Sequence, residues 1–241
     1  MGSFHFLNAR FVDIFVPQNH LTMENTIKIF IYIHTFFGSV GLLTGIGSII
    51  VKKGGRNHKR LGKWFTWSMI SSSVISLVVA RMPGHINSFL FLIGIFTIYM
   101  VLAGNRALTF KSVKKTKANS LDKSISGSMV LCALLMIGFG VNGLLHGYDQ
   151  SILFVVFGGF GIFLPYGDYM LFKKTLENRK LWLINHLGRM LGALIASFTA
   201  FLVAGMHYDN LWAWLAPTVV GTAYITYWIK KIKEKKKVKT A

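Results

Sequence analysis

Seven long apolar segments alternate with short polar stretches along the chain. The hydrocarbon core of a bilayer, about 30 Å thick, takes about 20 helical residues to cross, and each apolar segment comes close to that length. The segments are apolar on every side, which favours helices, because a helix satisfies its backbone hydrogen bonds within one lipid-exposed segment. The predicted spans are residues 27–51, 64–80, 89–110, 125–145, 152–172, 181–205 and 211–229. We therefore predict an all-α membrane protein, a bundle of seven transmembrane helices.

Basic residues are concentrated in alternate loops between these segments. Residues 52–63 contain six Lys or Arg, residues 111–123 five, residues 173–180 four and the tail 230–241 seven. The intervening turns contain only Arg81. Because short basic loops stay in the cytoplasm, this pattern places the N-terminus outside and the C-terminus inside.

Three parts of the chain are predicted: an N-terminal extracytoplasmic segment, 1–26, the transmembrane domain, 27–229, and a basic cytoplasmic tail, 230–241. The first part lacks the basic start, apolar middle and cleavage site of a signal peptide. It could lie as a short amphipathic piece at the outer interface. Alternatively, Met23 is the natural start, since "MENTIKIF" leads directly into the first apolar segment.

Composition and charge agree with a membrane protein. The chain is 53% hydrophobic and 15% charged, with a formal net charge of +19. Nucleic-acid-binding proteins spread basic residues over a polar surface, whereas here they form short clusters between apolar segments. The expected partner is therefore a bilayer with an anionic inner leaflet and not a nucleic acid. A single cysteine, Cys132, excludes an intramolecular disulfide.

Several ionisable side chains fall within the apolar segments, where each costs from about 2.5 kcal/mol upward and is a candidate functional residue. His186 and Arg189 are three residues apart and share a helix face. With side chains from the third and fifth segments and the first basic loop, they could line a cavity that opens to the cytoplasm. Two arginines against one carboxylate leave net positive charge, which suits a small anion or a lipid headgroup. The candidate ligand-binding residues are His34, His58, Arg106, Asp168, His186 and Arg189.

Structural roles would explain the same residues. Asp168 could pair with Arg106 or Arg189 only to join helices, while the other arginine reaches the interface. His58 could be a solvated loop residue, and His34 a hydrogen-bonded interior residue. Histidines at the outer ends of the segments show no ligand spacing such as HxxxH, so no metal site is predicted.

The alternative function is a metal-dependent or haem redox membrane enzyme that uses buried histidines. A haem with two axial histidines needs both at one depth, and the sequence places His34 and His186 in opposite leaflets. His58, Asp168 and His186 could supply a minimal set of metal ligands. The sequence identifies no cofactor or substrate and leaves open whether the protein is an enzyme. A homo-oligomer or a further subunit of a membrane complex is equally compatible with it.

Three stretches carry a resemblance to a known family: "HTFFGSVGLLTGIGSIIVKKGGRNHKRLGKWF", "LAGNRAL" and "INHLGRMLGALIASFTAFLV". They resemble a widespread group of bacterial multi-pass membrane proteins described only as a domain of unknown function. The resemblance covers residues 27–230 and leaves the first 22 residues outside. It implies a bacterial cytoplasmic membrane location and a seven-helix architecture, with no assigned reaction. It also implies that the candidate residues other than Asp168 occupy recurrent motif positions.

Overall fold

The computed structural model describes residues 18–148, 151–208 and 210–237, and the regular secondary structure within these ranges is helical throughout. Seven helices follow one another: α1 (Gln18–Ile50), α2 (Arg56–Val79), α3 (Ser88–Thr109), α4 (Ser120–Leu145), α5 (Ile152–Lys174), α6 (Leu181–Ala200) and α7 (Leu211–Lys237). A π-helical turn, Phe201–Gly205, continues α6. Each predicted apolar segment coincides with one of these helices, so the all-α prediction is confirmed. The predicted outer segment as far as residue 17 and tail residues 238–241 lie outside the described residues.

Three helices are longer than the apolar segments that predicted them. α1 begins before residue 27, α2 includes most of the basic stretch 52–63, and α7 continues into the lysines of the tail. Lysine and arginine are good helix formers, so a helix continues past the point where the apolar pattern stops. His58 therefore lies in the first turn of α2 and not in a loop.

Five helices in the described part of the chain are long and apolar enough to cross a membrane. They are Glu24–Ile50 of α1, Leu90–Thr109 of α3, α4, α5 and Leu181–Gly205, which joins α6 to its π-helical turn. α2 and α7 are less apolar, because α2 combines basic first turns with a serine-rich face and α7 ends in lysines. These helices support a membrane protein built as a helix bundle.

α3 and α6 occupy the centre of the bundle. α3 packs against α2, α4, α5 and α6, while α6 also contacts α1, α5 and α7. The main buried cluster joins α2, α3, α4 and α6 and includes Phe65, Met69, Phe96, Tyr99, Met100, Val101, Met129, Ala133, Ala193 and Leu194. Polar side chains on α3 and α6 are thereby enclosed by protein.

Glycines bring the helices around this core close together. At Gly45 on α1 an added Cβ would lie 2.8 Å from Leu194 of α6 and 2.9 Å from Phe65 of α2. At Gly158 on α5 an added Cβ would lie 3.0 Å from the carbonyl oxygen of Ala133 on α4. At Gly45, α1 therefore meets both α2 and α6.

Candidate functional site

A buried carboxylate, Asp168 on α5, joins four helices. Arg189 of α6 donates from Nη2 to Asp168 Oδ1 at 2.7 Å. The Tyr99 hydroxyl of α3 donates to Oδ2 at 2.6 Å, and the Ser126 hydroxyl of α4 donates to the same oxygen at 2.9 Å. Asp168 and Arg189 are only 4% and 5% exposed. We refer to Tyr99, Ser126, Asp168 and Arg189 as the Asp168 cluster.

Small residues make room for the Arg189 side chain between α3 and α5. An added Cβ at Gly104 on α3 would lie 3.0 Å from Arg189 Cβ, and one at Gly167 on α5 would lie 3.2 Å from Nη2. Nη2 also donates to the carbonyl oxygen of Leu164, just before Pro165. The guanidinium is therefore held by backbone and carboxylate together.

The bonding of Arg189 is incomplete. Its Nε is buried and has no hydrogen-bond partner among the described residues. The guanidinium carbon lies 5.8 Å from the centre of the Tyr99 ring, within the range of a cation–π contact. A buried cation with an unused donor depends strongly on its one carboxylate, because an unpaired charge in the interior is costly.

A second buried carboxylate, Asp122, lies at the start of α4. Arg106 donates from Nε to Oδ1 and Lys115 donates from Nζ to Oδ2, both at 2.6 Å. Asn119 and Asp122 also exchange hydrogen bonds between side chain and backbone, which forms a capping box. Two cations against one carboxylate leave one net positive charge. We refer to Arg106, Lys115, Asn119 and Asp122 as the Asp122 cluster.

The two clusters share a small cavity of about 10 Å³. Arg106, Asp122, Ser126 and Asp168 supply its polar lining, and apolar residues of α3 and α5 complete the wall. A cavity of this size holds about one water molecule. A phosphate or a lipid headgroup does not fit between the clusters.

His58 and His186, which we call the histidine pair, belong to neither cluster. His186 Nδ1 donates to the carbonyl oxygen of Gly104 at 2.9 Å, and His58 Nδ1 donates to that of Ser48 at 3.0 Å. The two rings are near enough to interact electrostatically. Because a carbonyl only accepts, Nδ1 carries the proton in each ring, and in a neutral ring of this tautomer Nε2 is an acceptor.

The pair lies beside the first turns of α2, a strongly basic region. Residues 52–63 carry six Lys or Arg and no acidic residue. Gly55 is the N-cap of α2 and has no side chain to cap the first-turn amides, which lack helical acceptors. His58 therefore lies in a helix turn whose neighbours in the chain are basic and whose first amides have no cap.

His34 lies apart from the other candidates. Its Nδ1 donates to the carbonyl oxygen of Ser72 at 2.9 Å, and the Ser72 hydroxyl donates to the His34 carbonyl at 3.1 Å. At 1.5 Å per residue along α1, His34 is about 21 Å from Ser48, the partner of His58. This bonding agrees with the interpretation of His34 as a hydrogen-bonded interior residue, which was the alternative to a ligand-binding role.

The six candidate residues therefore fall into four places instead of one cavity: the Asp168 cluster, the Asp122 cluster, the histidine pair and His34. Asp168 pairs with Arg189 and Arg106 pairs with Asp122, so each of the two predicted arginines is already bonded to a carboxylate. His58 pairs with His186, and His34 is separate. Sequence reasoning missed Asp122, Lys115 and Tyr99 as functional neighbours. Across the described ranges, no group of three or more His, Cys, Asp or Glu side chains could hold a metal ion.

The geometry can also be set against known proteins. Comparisons of this chain with protein-family models, with curated proteins and with solved structures found no match.

Proposed function

We propose that this chain is an integral protein of the bacterial cytoplasmic membrane that binds a small anion or an anionic lipid headgroup at its basic end. The proposal includes seven spans, with the N-terminus outside. At 24 and 27 residues, α2 and α7 exceed the length that a span requires. α2 packs mainly against α1, and α7 packs against α6, both of which are apolar enough to cross.

The observation that carries the proposal is that His58 and His186 are each held by a backbone carbonyl near a stretch that has six basic residues and no acidic one. Arg106 and Arg189 are each bonded to a carboxylate, so they are poor acceptors of a further anion. The histidine pair has no such counter-ion among its hydrogen-bond partners, which are backbone carbonyls. Residues 52–63 beside this pair carry positive charge with no acidic residue among them, whereas Arg106 and Arg189 are each bonded to a carboxylate.

An anion at this place would meet three kinds of donor. The free amides at the start of α2 favour negative charge, as helix N-termini do in general. Lysine and arginine side chains of residues 52–63 supply exposed cations. A nearby anion also favours the protonated imidazole, in which Nε2–H becomes a donor.

The test compares two histidines that have the same kind of Nδ1 bond. Asparagine can keep a donor close to the position of Nδ1 while removing Nε2. We expect His186→Asn to bind inorganic phosphate at least tenfold more weakly, which corresponds to about 1.4 kcal/mol. His34→Asn is the matched control and should bind like the unmodified protein.

Binding is measured by calorimetry on the full chain in nanodiscs of neutral lipid. Replacing part of that lipid with phosphatidylglycerol tests the headgroup as the source of phosphate. Equal affinity of His186→Asn and the unmodified protein for both would reject this site.

A second candidate function is supported by the bonding of the same histidines. Metal-ligating histidines commonly donate their other ring nitrogen to a backbone carbonyl, as His58 and His186 do. A metal or haem redox enzyme would then use the two Nε2 atoms as ligands. Elemental analysis and an absorption spectrum of the purified protein separate the two functions. A metal at equimolar amount, or a haem band, would favour the enzyme.

A further inference from the structure

The Asp168 cluster contains a carboxylate deep in the bundle with a polar connection toward one end. The Ser126 hydroxyl bonds to Asp168 Oδ2 and also lines the small cavity. Asp122 and Arg106 line the same cavity from the other side. The side chains of Arg106 and Lys115 are 27% and 18% exposed, so the Asp122 cluster reaches solvent.

Every helix packed against Asp168 contributes a group that affects its charge. α3 supplies Tyr99 and Arg106, α4 supplies Ser126 and Asp122, and α6 supplies Arg189. Arg189 places a positive charge against Asp168, and Asp122 places a carboxylate across the shared cavity. Intramembrane carboxylates with this kind of partner are typical of proton relays in transport proteins.

We propose that Asp168 exchanges a proton with the solution at the basic end of the bundle, through Ser126 and a single water molecule in the shared cavity. Ser126 passes its hydroxyl proton to Asp168 Oδ2 and takes one from the water. The water is restored by a proton from solution that enters along Asp122. One proton is gained, no bond between heavy atoms changes, and the cluster passes from neutral to one positive charge.

Protonation has a consequence for Arg189. A neutral Asp168 no longer compensates the charge of the guanidinium, although its Oδ1 still accepts from Nη2 and the Leu164 carbonyl and the face of Tyr99 remain in contact. Since Nε already lacks a partner among the described residues, the protonated state favours an anion beside Arg189 or a shift of α6. Proton uptake and movement of negative charge would then be coupled. This inference does not depend on the anion site at His58 and His186.

The experiment is infrared spectroscopy of the full chain in lipid nanodiscs during an acid titration. We expect a carbonyl band from a protonated buried carboxyl group that Asp168→Asn lacks. Tyr99→Phe keeps the ring that faces Arg189 and removes the hydroxyl bonded to Asp168, so the band should remain but move to higher frequency. Tyr99→Phe thus identifies the group even if Asp168→Asn does not fold.

Exchange into D2O tests the route. In Ser126→Ala, the shift of this band caused by deuterium should develop about tenfold more slowly. A tenfold change in rate corresponds to about 1.4 kcal/mol, which is the contribution of one hydrogen bond on the path. Ser128→Ala is the control, because its hydroxyl is exposed on the same helix and donates to the Ile125 carbonyl. A band that persists in Asp168→Asn, or one that Tyr99→Phe does not move, would overturn the assignment to Asp168. Equal exchange rates in Ser126→Ala and Ser128→Ala would overturn the path.

Discussion

Gly104 and Arg189 pack so closely that a Cβ on Gly104 would lie 3.0 Å from the Cβ of Arg189. The carbonyl of the same glycine accepts the hydrogen bond of His186, one turn away on α6. A residue without a side chain on α3 therefore touches both the Asp168 cluster and the histidine pair.

Replacing this glycine should destabilise the bundle. In Gly104→Ala, the new methyl group would overlap Arg189 and Met190, so α3 and α6 must separate slightly. Overpacking of this kind costs about 1–3 kcal/mol of unfolding free energy. Gly188→Ala on α6 is the control, because nothing lies within 4 Å of its added Cβ. Thermal unfolding in detergent measures both variants, and an equal midpoint for the two would contradict the close packing.

The pair of Asp168 and Arg189 should show strong coupling in a double-mutant cycle. Removing either partner leaves a buried charge uncompensated, and we expect Asp168→Leu or Arg189→Met alone to cost about 3–5 kcal/mol. The double variant should cost much less than the sum of the two, because no charge is left behind. Chemical unfolding of the four proteins in mixed micelles gives the coupling energy.

An exposed pair on α1 provides the control for that cycle. Lys28 and Glu24 lie 2.7 Å apart with side chains that are mostly exposed, so Lys28→Ala should change stability little. Additive effects at Asp168 and Arg189 would show that the pair does not act as a unit.

The start of α4 should depend on its capping box. Asn119→Ala removes the side chain that accepts from the Asp122 amide, and such losses cost about 1 kcal/mol. Asp122→Ala should cost more, about 2–3 kcal/mol, because Arg106 and Lys115 then lose their carboxylate while keeping partial contact with solvent. The losses of unfolding free energy in both variants are measured from unfolding midpoints. The control is Asn57→Ala, because Asn57 is exposed in the first turn of α2. A smaller effect for Asp122→Ala than for Asn119→Ala would contradict the ion pairs.

The proposed orientation predicts a pattern of chemical labelling. Cys132 is the chain's one cysteine, so Cys132→Ala gives a background without thiols. A membrane-impermeant maleimide added to intact cells should label His85→Cys, which follows α2, and should not label Lys114→Cys, which follows α3. Both positions are exposed in the bundle, so permeabilised cells should label both. Failure to label His85→Cys in intact cells while it labels after permeabilisation would mean that α2 does not cross the membrane as proposed.

The helices could be predicted from the sequence because a span must be apolar along its whole length, and that property is local. The ends of α1, α2 and α7 could not, since basic and polar residues continue a helix without continuing the apolar pattern. Family membership, suggested by the three quoted stretches, stays a prediction.

Partner choice among the polar residues was only partly predictable. The pairing of Asp168 with Arg189 was one of two alternatives, and the structure selects it. The partner of Arg106, Asp122, lies among residues 111–123, whose positive charge predicts only a cytoplasmic loop. The spacing of Asn119 and Asp122 before an apolar run is the signal that could have shown it. The approach of His58 to His186 depends on tertiary packing and has no signal in their spacing.

α3 contributes to all three polar groups near the basic end, through Tyr99, Gly104 and Arg106, which lie within two turns. A rotation or axial slide of this helix would alter the carboxylate pairing, the imidazole bond and the arginine pairing in the same movement. Binding at any one group would then change affinity at the others, and the effect would be equal in both directions. A substitution on this short stretch that moves α3 would change all three polar groups. This restricts the independent evolution of any one of them.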